Sequence, residues 1–142
     1  MILIVIETGH LGIIVINYLQ YMIEQKYELD MYPMVKNRSI VQLIPTKLFA
    51  DWYNYVSPCG IKYSIDNIEP ISFLIWDFET REEFNNWLQF NYQILFEIRL
   101  YYACADKTQW PENRTLAAFK SWFEVYHSNL ILDLRVDSIE II

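Results

Sequence analysis

Thr80-Arg81-Glu82-Glu83-Phe84-Asn85-Asn86-Trp87-Leu88 is the stretch from which the rest of the chain can be read. A Thr followed three places on by Glu is a capping box. The Thr80 hydroxyl can accept from the Glu83 amide while the Glu83 carboxylate reaches back. Glu79, Glu82 and Glu83 stand where the positive end of a helix dipole favours acids. Past the cap, Phe84, Trp87, Leu88, Ile94, Leu95, Ile98 and Tyr101 recur mostly at three- and four-residue steps. That spacing predicts a long helix over 81–103.

Upstream, Ile71-Ser72-Phe73-Leu74-Ile75-Trp76 reads as a largely buried strand, preceded by a loop marked by Asp66-Asn67 and Pro70. Ile40-Val41-Gln42-Leu43-Ile44, stopped by Pro45, is a second strand. Thr46 then caps a helix to about Tyr55, with Leu48, Phe49, Trp52 and Tyr53 near helical spacing, and Ser57-Pro58-Cys59-Gly60 turns out of it. Downstream, 106–114 is a polar loop carrying Trp110-Pro111. Thr115 opens a helix with Leu116, Phe119, Trp122 and Phe123 on one stripe, broken at His127-Ser128-Asn129. Strands are expected over 130–134 and, more weakly, 138–142. Elements this closely spaced predict an α+β fold, a small mixed or antiparallel sheet with helices packed on one face.

Residues 1–23 are strongly apolar, with Glu7 their only formal charge. Their length would suit a membrane span, but Glu7, Thr8, Gly9, His10 and Gly12 interrupt them in the middle, as a turn between two short elements would. No Lys or Arg precedes the run and no small-residue cleavage site follows, which argues against a secretory signal. Residues 1–33 therefore read as an apolar extension (strand, turn, helix), and 34–142 as one compact domain.

The 142 residues, 54% hydrophobic and 17% aromatic, are enough for one well-filled core. A net charge of −7 argues against a nucleic-acid partner, which would call for clustered Lys and Arg. The charge is uneven: over 66–97 seven acids stand against Arg81 alone, whereas over 35–64 four bases stand against Asp51. Such an acidic segment is either a solvated helix start or a face that docks a basic protein or mimics nucleic acid. Cys59 and Cys104 match no metal or redox spacing and read as reduced, structural thiols. On that reading the sequons Asn37-Arg38-Ser39 and Asn113-Arg114-Thr115 carry no glycosylation, and the location is cytoplasmic.

Candidate chemistry is thin. His127, near Glu124 and ahead of Asp133, can be drawn as a general base with a carboxylate, or as a residue closing a helix end. No glycine-flanked Ser elbow, His-x-x-x-His or Cys-x-x-Cys occurs, and Gly9-His10-Leu11-Gly12 lacks the remaining residues of a phosphate loop. Neither a metal nor a cofactor is expected. Trp110, in its polar loop, and Arg114 are candidate binding residues. Arg99, among apolar neighbours late in the long helix, reads as half of an ion pair at the core edge or as a carboxylate binder.

Trp110-Pro111-Glu112-Asn113-Arg114-Thr115, followed by Phe119, Trp122-Phe123, His127-Ser128 and Asp133-Leu134, resembles a set of small uncharacterised bacterial proteins. In these, a strand–Pro–helix opening with an Asp-Trp pair is similar to Pro45 through Asp51-Trp52. The resemblance spans roughly 34–134 and implies a domain boundary but no catalytic residues. Besides a weaker expectation of peripheral membrane association through 1–23, two functions follow as expectations. One is a non-enzymatic acidic interaction module (immunity-, inhibitor- or regulator-like) that docks a protein partner through Glu79, Glu82 and Glu83. The other is a small hydrolase using His127 with Asp133 or Glu124 beside a pocket edged by Trp110 and Arg114.

Overall fold

The computed structural model describes residues 34–58 and 60–133. The expectations for 1–33, Cys59, Leu134 and 138–142 lie outside the described residues. The chain divides into two compact units, Val35–Ile131 and Met1–Met34 with Leu132–Ile142. The first unit holds β1 (Ser39–Pro45), α1 (Lys47–Val56), β2 (Ile71–Ile75), α2 (Arg81–Ala103), α3 (Leu116–Trp122) and β3 (Phe123–Ser128). Single 3₁₀ turns occur at Ile65–Asn67 and Lys107–Gln109. The fold is α+β.

β1 is the middle strand of an antiparallel sheet ordered β2-β1-β3. Because side chains alternate along a strand, Ser39, Val41, Leu43 and Pro45 point to one face, where all four are buried. The register sets Val41 opposite both Phe73 and His127, and Leu43 opposite Ile71 and Val125. The helices close over that face with Phe49 from α1, Phe84, Leu88, Leu95, Phe96 and Leu100 from α2, and Phe119 from α3. Phe123 lies at the centre, its ring 5.0 Å from Phe49, 5.6 Å from Phe96 and 5.7 Å from Phe119. Each such buried ring contributes about 1.5–3 kcal/mol relative to exposure. Ser39, fully buried, is satisfied by donating its hydroxyl to the Trp76 carbonyl at 2.7 Å.

α2 has the expected bounds. Thr80 Oγ1 accepts from the Glu83 amide at 3.2 Å, while the Glu83 carboxylate accepts from the Glu79 amide at 2.9 Å, one residue further back than the ordinary box. The buried stripe is shifted, however. Ile94 and Tyr101 are 58% and 55% exposed, and Phe96, Arg99 and Leu100 take the core side. Thr46 holds the N-cap position of α1, but its hydroxyl donates to the carbonyls of Ser121 and Trp122, tying α1 to the α3–β3 junction.

The largest correction concerns 115–134. Thr115 caps α3 by accepting from the Ala118 amide at 3.3 Å, but the helix ends at Trp122 and the chain passes directly into β3. Phe123, Val125 and His127 alternate inward, with Glu124 and Tyr126 exposed outward, a two-residue period that pairing with β1 favours over further helix. No strand covers Leu130–Asp133; Leu132 makes an isolated bridge to Met34.

Candidate functional site

His127 belongs to a strand, so it does not close a helix end. Three positions apart on β3, it and Glu124 lie on opposite faces of the sheet and cannot act on one substrate atom. The imidazole stacks on Phe84 at 4.1 Å and 9°, with Phe78 edge-on at 5.8 Å, and its Nε2 is buried without a hydrogen-bond partner. Burial, and after it the Arg81 guanidinium, hold the His127 pKa below the usual imidazole value, against an opposing contact with Asn129. The ring is neutral near pH 7 and one face is closed by Phe84, a packing role. Asp133 is half-buried beyond the end of β3.

Trp110 is not a loop ring open to a ligand. It is 9% exposed, and its indole N–H donates to the Cys104 carbonyl at 2.8 Å, pinning the 104–110 turn to the core. Arg114 donates to the Pro111 carbonyl at 2.7 Å and lies 4.0 Å from a Glu97 carboxylate oxygen. Neither lines the cleft beside Arg99, and neither does His127. Among the described residues, no three His, Cys, Asp or Glu gather to hold a metal ion, and no helix is long and apolar enough to cross a membrane.

Two other places present chemistry. The first is a cleft of about 800 Å³ between the 67–73 segment, the end of α2 and Tyr53 of α1. Ile71, Phe73, Ile98, Tyr102 and Tyr53 supply apolar wall, and Arg99 supplies a cation. Arg99 is 7% exposed. Its Nη2 donates to the Glu69 carbonyl at 3.2 Å, its Cζ lies 4.5 Å over the Phe49 ring, and its Nε has no partner. The expected ion pair at the core edge does not form, since no described carboxylate reaches the guanidinium. Removing an ion from water costs several kcal/mol, and a cation–π contact returns only about 0.5–2 kcal/mol. That imbalance lowers the pKa of Arg99, chiefly through burial, with Tyr53 acting in the other direction.

The second place is the outer side of α2. Phe90, Ile94 and Tyr101, at helical spacings of four and seven, are 85%, 58% and 55% exposed, and they share that side with Glu83 of the acidic first turn. Glu79, Glu82 and Glu83 are exposed, and among the described residues none is in an ion pair. The sequence contained this second stripe, but Ile94 and Tyr101 read as core because a helix with apolar residues on two sides gives no local sign of which side is covered.

No family model, no curated protein and no solved structure matches the chain.

Proposed function

We propose that this domain is a non-enzymatic, cytoplasmic protein-interaction module, of the inhibitor or regulator kind, whose docking face is the outer side of α2 with its acidic first turn. The observation that carries the reading is Phe90, a phenylalanine left 85% exposed in line with Ile94 and Tyr101. Exposed apolar side chains aligned on one side of a helix, next to an acidic first turn, are candidate anchors of a protein interface. The partner chemistry follows from the charges beside them: an apolar ridge flanked by Lys or Arg, steered by Glu79 and Glu82.

The test uses two surface variants that leave the core alone, Phe90→Ser and Glu79→Lys/Glu82→Lys. A protein cross-linked to the wild-type chain in its native cell is purified and titrated against each. Phe90→Ser is expected to weaken binding at least tenfold at every salt concentration. The charge reversal is expected to weaken it mainly at low salt, where exposed charges are least screened. Equal affinity for wild type and both variants rejects the face. Glu83 is a poor probe because its carboxylate also holds the Glu79 amide.

A further inference from the structure

Arg99 is a buried cation with no carboxylate beside it among the described residues, and it lines a cleft. Leu or Met in its place would fill the same space against Phe49 without the desolvation penalty. The guanidinium has five N–H donors, and among the described residues its hydrogen bond goes to the Glu69 carbonyl. The cleft, at about 800 Å³, is within the size range of small-molecule pockets, and its wall combines apolar and polar surface in similar measure.

We propose that this cleft binds a small monocarboxylate with an apolar body, the carboxylate paired with Arg99 and the body laid against Tyr53, Phe73, Ile98 and Tyr102. Carboxylate is favoured over phosphate because Arg99 is the only cation among the lining residues, and one planar fork matches one carboxylate. Phosphate sites gather several donors, often at a helix N-terminus, and here the nearby helix end is a C-terminus. Glu69, exposed and the only acid among the lining residues, disfavours a second negative charge on the ligand. Asn67 and Ser72 supply neutral polar groups at the same cleft. The site does not depend on the docking face proposed for α2, because their probe residues differ.

The experiment titrates the full chain with 3-phenylpropionate, octanoate, 3-phenylpropanamide and inorganic phosphate, by calorimetry and by ligand-observed NMR. The two carboxylates are expected to bind and raise Tm, the amide to bind at least tenfold more weakly, and phosphate not to bind. Arg99→Met is expected to lose carboxylate binding while keeping a cooperative melt. Should that variant not fold, Ile98→Glu serves the same purpose, because it places a carboxylate in the cleft while keeping Arg99, and it is expected to lower the affinity at least tenfold. Absence of binding by both carboxylates, equal binding of acid and amide, or undiminished binding by the variants overturns the proposal.

Discussion

At the scale of single residues, burial decides which side chains matter more than identity does. His127 has the residue type of a general base, yet its environment makes it a packing ring on Phe84. Its lowered pKa has a consequence for stability. In the unfolded chain an imidazole titrates near about 6.5, and in the fold it titrates lower. Between the two values the unfolded chain holds more protons, so stability rises with pH. The contribution is full above about pH 6.5 and is lost as pH falls from there toward the folded value. Tm of the wild type is therefore expected to fall more between about pH 7 and about pH 5.5 than that of His127→Gln. Equal falls would show that His127 is not the titrating group. Phe49 makes the opposite case, a residue with no chemistry that holds much together. Its ring contacts Phe123, Trp52, Tyr53 and Trp122 and lies under Arg99. Phe49→Ala should lower the unfolding free energy by about 3–5 kcal/mol in urea titrations, and in addition leave Arg99 without its aromatic face.

At the scale of elements, the helix start of α2 was legible because all its determinants lie within five residues. Thr80 and Glu83 meet through local bonds that no distant contact has to arrange. Thr80→Ala should cost about 1 kcal/mol, seen as a lower urea midpoint at unchanged slope. Glu83→Lys should cost a similar amount by losing its bond to the Glu79 amide, whereas Glu82→Lys, which caps nothing, should cost less. The 115–128 segment was misread because Leu116, Phe119, Trp122 and Phe123 fit a helix while Phe123, Val125 and His127 fit a strand. Both periods are present and share Phe123. The partner strand β1, some eighty residues away, takes the second half, as the pairing of Pro45 with Phe123 and of Ile40 with Ser128 shows.

At the scale of the molecule, every buried apolar residue of the described core falls within Val35–Ile131, and that unit is closed by the bond from the Val35 amide to the Ile131 carbonyl at 2.9 Å. A fragment spanning Val35–Ile131 is expected to melt as a single cooperative transition by circular dichroism and calorimetry. A non-cooperative melt would mean that the core needs residues outside this unit. The α+β class, the strand near 40–44, the position though not the burial of the half-exposed edge strand at 71–75, and the bounds of α2 came from the sequence by itself, because caps, strand runs and helical periods are short-range properties. Tertiary structure alone decided the rest. It chose which of two apolar sides of α2 faces solvent and put His127 and Glu124 on opposite faces of one strand. It also turned Trp110 inward and left Arg99 beside a cleft with no described carboxylate within ion-pair reach. Each of these depends on what a distant segment brings alongside, and burial, pKa and pairing are set by that company.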